Sequence, residues 1–166
     1  MNIVEIEFLE IEKNNEYIKL ITDVLNRCYQ TETLPKNLYT NIILTTQEKI
    51  QEYNKTYRNI DKTTDVLSFP MFEKQEIEQV KKIETEEVLG DIIISIPQII
   101  LQAKEYEHSI QRELSYMVVH GFYHLIGYDH EKEEDKKQMR TKEEEILKKC
   151  IWIKWYKGRN NERTKR

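Results

Sequence analysis

Apolar positions along the chain switch between a period near two and a period near 3.6 residues, and each switch marks an element. Ile3 to Leu9 alternates imperfectly between apolar and acidic residues, the mark of a half-buried strand. From Glu16 the apolar positions fall at Tyr17, Leu20, Ile21, Val24, Leu25 and Cys28, the stripe of an amphipathic helix. Leu38 to Leu44 reads as a strand and Gln47 to Tyr57, through Ile50, Tyr53 and Tyr57, as a helix. Asp65-Val-Leu-Ser-Phe-Pro70 is a short strand stopped by its proline. Residues 73–87 are charge-rich with no Gly or Pro, and predict an exposed connection or a flap. Gly90-Asp-Ile-Ile-Ile-Ser-Ile-Pro97 is apolar on both faces, hence a central strand, with Pro97 placed to begin a helix. Ser109 is placed to cap a helix running to Ile126, with Gly127 as its breaker, and Lys132 to Lys149 forms a last, highly charged helix. Consecutive and alternating strands together predict an α+β fold: a small mixed β-sheet of about four strands with packed helices.

A chain of 166 residues fits one domain, and a domain near that size buries about 70% of its unfolded surface, so the core itself needs no metal. Residues 1–150 form this expected domain, and residues 151–166 a basic tail. The N-terminus has no basic leader, and no stretch approaches the ~18 apolar residues of a membrane span, so a cytoplasmic protein without a membrane partner is expected. Cys28 and Cys150, each on a predicted helix, read as small buried residues rather than a disulfide or a catalytic thiol. The net charge of -4 hides an asymmetry: Lys148 to Arg166 carries eight Lys or Arg against one Glu (+7), while the rest has 18 basic against 29 acidic residues (-11). With Trp152, Trp155 and Tyr156 near its start, such a tail suits a phosphate backbone and stacked bases, although a last core element with a solvated end explains the same composition.

Chemistry concentrates in one window, His120-Gly-Phe-Tyr-His-Leu-Ile-Gly-Tyr-Asp-His130. Positions 120 and 124 are one helical turn apart, about 40° around the axis and about 6 Å along it, so both imidazoles project from one face and can converge on one ion. Gly127 lets the chain turn back, bringing His130 to the same ion. Three histidines without a nearby cysteine form an open, zincin-like set on a helix and its following turn, three ligands with a position left for water, and point to one zinc per chain used for hydrolysis. The spacing matches the metzincin pattern except that Gly121 stands where those proteases carry their catalytic Glu. A base must come from elsewhere, or the metal alone must suffice. Asp129 is open to two readings, an acceptor for an imidazole N–H or a plain turn residue. His108 has no partner at helical spacing and is read as a surface residue.

The window His120 to His130 closely resembles the signature of the YbeY family of bacterial single-strand-specific metallo-endoribonucleases. Tyr57-Arg58, Asp61 and Thr64-Asp-Val-Leu-Ser-Phe-Pro70 resemble its second block, and Leu89-Gly-Asp-Ile-Ile-Ile-Ser95 its third. The resemblance implies a mixed fold with a central sheet, zinc held by His120, His124 and His130, and action on single-stranded RNA in 16S rRNA 3' end maturation and ribosome quality control. Ribosomal RNA or a ribosomal subunit is then the partner. It also implies a functional role for Arg58, whose guanidinium can pair two phosphate oxygens as charge develops in the transition state. Tyr123 stands where the family commonly has an aliphatic residue, and is expected to alter packing and leave the metal chemistry intact. Two other readings stay open on the residues alone: a peptide or amide hydrolase, and a ribosome-associated binding module with a structural metal.

Overall fold

A computed structural model describes residues 2–129 and 131–150; His130 and the basic tail, residues 151–166, lie outside the described residues. The elements run β1 (Val4–Phe8), α1 (Asn15–Thr31), β2 (Leu38–Thr45), α2 (Gln47–Arg58), β3 (Val66–Pro70), a 3-10 turn (Lys74–Glu76) leading into α3 (Ile77–Val80), β4 (Glu87–Ser95), α4 (Ile96–Glu105), α5 (Ile110–Leu125) and α6 (Glu133–Lys149). The strands form one sheet in the order β1-β2-β4-β3. β1 and β4 each pair with β2 in parallel, and β3 runs antiparallel to β4, which makes the sheet mixed.

The alternation within β4 explains its central place. Ile92 and Ile94 enter the main core with α1 and α5, while Ile93 joins Ile50 of α2 and Leu67 of β3 on the opposite face. All of these side chains are buried, each contributing about 1.5–3 kcal/mol relative to exposure. The α1 stripe Leu20, Ile21, Val24, Leu25 and Cys28 is buried as its spacing requires, and Asn14 caps the helix by accepting from the N–H groups of Glu16 and Tyr17 at 2.9 and 3.2 Å. Cys28 and Cys150 are both buried free thiols.

The segment 73–87 is not the plain exposed connection that its charges predict. Ile77 and Val80 are buried in the main core, and the Asn37 side chain donates to the carbonyls of Ile83 and Thr85. Two apolar anchors four positions apart or closer are enough to pin a charged segment, because the charges occupy the remaining, outward positions.

α5 positions the site. Ser109 caps its start, its hydroxyl accepting from the Arg112 N–H at 3.1 Å. At its end the Tyr128 N–H donates to the Tyr123 carbonyl at 2.9 Å and the Gly127 N–H to the His124 carbonyl at 3.1 Å. That pair of bonds is a Schellman motif, with Gly127 at φ +98 in the left-handed position and the Tyr123 and Tyr128 rings in edge contact at 5.3 Å. A Cβ on Gly127 would stand 2.4 Å from Cβ of Lys74, so both conformation and space demand glycine.

Candidate active site

α5 packs against β3 on one side and α6 on the other, and above it lies a cleft of about 770 Å³. Tyr116, His120 and His124 of α5 line it together with the 127–129 turn. One wall is Thr64 to Ser68 with Pro70 and Arg58; the other is Lys136, Met139, Arg140 and Glu143 of α6.

His120 and His124 converge as their spacing predicts. Their Nε2 atoms stand 3.2 Å apart, close to the about 3.3–3.4 Å that separates two nitrogens bound at about 2.0–2.1 Å to one tetrahedral zinc. The donor set therefore fits a borderline-soft divalent ion. Behind His120, Nδ1 lies 3.2 Å from Oε2 of the buried Glu143. An ionised carboxylate can only accept, so Nδ1 carries the proton and the Nε2 lone pair is left for the cleft. The Tyr116 ring stacks on the imidazole at 5.8 Å and 19°. Among the described residues no set of three or more His, Cys, Asp or Glu side chains is placed to hold an ion; the third histidine of the motif, His130, lies outside them.

Arg58 ends α2, where Asn59 at φ 60 terminates the helix. Its side chain is exposed and lines the same cleft, with Nη1 donating to Asn54 Oδ1 at 3.5 Å. Asp129 also lines the cleft, and its Oδ1 accepts from the Glu131 N–H at 3.3 Å, the turn role of the two that the sequence leaves open. Tyr123 is buried and reaches α1, donating to Glu32 Oε2 at 3.2 Å; burial, and then the Glu32 carboxylate, hold its hydroxyl protonated well beyond the ordinary tyrosine range.

Gly121 has a structural reason. A Cβ there would stand 2.9 Å from Cγ2 of Ile92, because this face of α5 lies on β4. A glutamate at 121 would meet the sheet and not the cleft.

His108 is not a surface residue. Its side chain is 3% exposed, and Nε2 lies 2.7 Å from Oε1 of the fully buried Glu113, whose other oxygen accepts from Gln102 at 2.9 Å. α4 ends in its own Schellman turn, with Glu107 at φ 55 and the His108 N–H bonded to the Ala103 carbonyl at 3.0 Å. That turn folds the imidazole inward, away from any helical-spacing rule.

Sequence reasoning missed Glu143, Tyr116, Lys136 and Arg140. Glu143 alone left a signal: it falls between Met139 and Ile146 on the one buried stripe of α6, and a carboxylate there needs a partner.

The model of the family Endoribonuclease YbeY matches residues 4–151. Endoribonuclease YbeY of Shouchella clausii is 44% identical over 137 residues, covering 81% of this chain and 86% of its own. The protein of the same name from Bacillus thuringiensis is 43% identical, covering 82% of this chain and 88% of its own. Among solved structures, the solution structure of TM1509 from Thermotoga maritima aligns with a TM-score of 0.60 at 28% identity, over 87% of each chain.

Proposed function

The chain belongs to the YbeY endoribonuclease family, and on that footing we propose that it is a zinc-dependent endoribonuclease that hydrolyses phosphodiester bonds of single-stranded RNA in 16S rRNA 3' end maturation and ribosome quality control. The observation that carries the reading is the convergence of two imidazole Nε2 atoms at 3.2 Å in a cleft that also receives Arg58.

His120 and His124 would hold the ion, with His130 as the third ligand. Bound there, zinc supplies Lewis acidity toward a phosphoryl oxygen. Glu143 keeps His120 in the tautomer that presents Nε2, and the Tyr116 ring limits rotation of the imidazole. Arg58 pairs phosphate oxygens through its planar fork as negative charge grows in the transition state. Peptide hydrolysis lacks its usual helix-borne base, because position 121 has no room for a side chain.

Purified, metal-replete protein incubated with a single-stranded RNA, an RNA duplex and casein tests the reading. Cleavage of the single strand alone is expected. Proteolysis without RNA cleavage overturns it in favour of amide hydrolysis, and binding of RNA with no cleavage in favour of a binding module.

A further inference from the structure

The α6 wall of the cleft does more than support His120. Lys136, Met139, Arg140 and Glu143 are spaced i, i+3, i+4 and i+7, one face of one helix, and all four line the cleft. Met139 is 1% exposed and Glu143 is held on His120, so the inner half of this face is anchored. Its outer half then carries Arg140 about 4.5 Å and Lys136 about 10 Å along the helix axis from Glu143, a cationic ladder leading away from the histidine pair.

Charge marks this ladder as special. The chain outside its C-terminal segment has 18 basic and 29 acidic residues, yet the cleft balances Arg58, Lys136 and Arg140 against Asp65, Asp129 and Glu143. Each of those carboxylates also has a local task. Glu143 takes His120; Asp65 Oδ1 accepts from the Val66 N–H at 2.8 Å; Asp129 Oδ1 accepts from the Glu131 N–H. The Lys136 ammonium makes no ion pair or hydrogen bond among the described residues. An ammonium that no described carboxylate engages, facing a cleft, is available to an anion that enters it.

Given the reading of the site as a single-strand ribonuclease centre, we propose that Lys136 and Arg140 form a second phosphate-contacting wall. The RNA strand passes between β3 and α6, with Arg58 on one flank of the scissile bond and this pair on the other. Arg140 grips the phosphate nearer the histidines and Lys136 the one beyond it. The role of the pair is to bind and orient the strand.

The test compares the full-length, metal-replete wild type with Lys136→Gln/Arg140→Gln and with a charge-matched control, Lys19→Gln/Lys137→Gln, whose two lysines are exposed and outside the cleft. Fluorescence anisotropy of a labelled single-stranded RNA across a salt series gives the slope of log K against log salt. Two lost phosphate contacts flatten that slope by about 1.4, so the ratio of wild-type to variant affinity is about 25-fold larger at ~0.1 M salt than at 1 M. The control is expected to keep the wild-type slope. Thermal unfolding of both double variants verifies the fold. A cleft variant whose slope equals that of the control overturns the inference while leaving the ribonuclease reading in place. A wild type that neither binds nor cuts RNA removes both.

Discussion

Replacing Glu143 with glutamine tests how His120 is held, at a position far from the reacting groups in sequence. The carboxylate is buried, with Oε2 3.2 Å from Nδ1 of His120. The amide is nearly isosteric and keeps one acceptor oxygen, so packing is conserved while the charge-assisted bond becomes a neutral one, a loss of about 1–1.5 kcal/mol. Alanine removes the acceptor altogether and frees the ring to rotate between Tyr116 and His124. Outer partners of metal-binding histidines contribute about 10- to 100-fold to affinity. Zinc is therefore expected to bind Glu143→Gln about 10-fold and Glu143→Ala about 100-fold more weakly than wild type, in competition with a chromophoric chelator at fixed pH. Glu144→Gln, with the same change in net charge on the neighbouring residue, is expected to bind as wild type. Thermal unfolding in chelator, where no ion contributes, separates a loss of fold from a loss of affinity. Wild-type zinc affinity in both Glu143 variants would refute the argument that this carboxylate sets the His120 tautomer.

Arg58→Ala is expected to retain full metal content and fold while losing about 10² to 10³ in single-turnover cleavage of single-stranded RNA; lysine at 58 restores only part of the rate, since a point charge does not reproduce the fork, and wild-type rates in both variants remove Arg58 from the mechanism. His108→Ala strips one partner from the buried Glu113, and is expected to cost about 1–3 kcal/mol of stability with zinc stoichiometry unchanged; an unaltered denaturant midpoint contradicts the buried pair. Burial pushes the Tyr29 hydroxyl up to about 12 and the Cys150 thiol up to about 11. The folded protein holds these protons after the unfolded chain has begun to lose them, so this stability is complete below about pH 9, falls as pH rises, and is gone above about pH 12, which urea titrations across that range measure. Phe at 29 and Ser at 150 are expected to flatten the decline.

Elements were legible wherever the buried face and the local period coincide. The α1 stripe, the two-sided β4 and the Ser109 cap each need only residues within a few positions of one another, and each stands where its pattern puts it. The same holds for half of the site. His120 and His124 converge because one helical turn separates them, and Gly127 ends that helix in the conformation that its lack of a Cβ permits. Short-range geometry stops there. His108 was misread because its environment is made by the turn between α4 and α5, not by a period. The segment 73–87 is exposed at most positions, as its charges predict, but its two buried anchors, Ile77 and Val80, do not stand out from composition alone.

The opposite walls of the cleft were the least legible part, and the reason is topological. Arg58 reaches the cleft because the chain leaves α2 at Asn59 and runs into β3, the strand antiparallel to β4 on which α5 packs, so that the end of α2 and α5 residues more than fifty positions later line one cleft. The α6 wall depends on the chain reversing at Gly127, and on Met139, Ile146 and Leu147 seating the helix so that residues 136, 140 and 143 face inward. In a helix crowded with both signs of charge, composition cannot say which charges face a cleft; the buried stripe can. Read in that way, Glu143 is the one acid on the apolar stripe of α6, and Lys136 and Arg140 are the bases that the same rotation turns toward the histidines. The candidate metal pair is thus set by the local spacing of α5, whereas the charges that face it across the cleft are set by the phase of α6 relative to it.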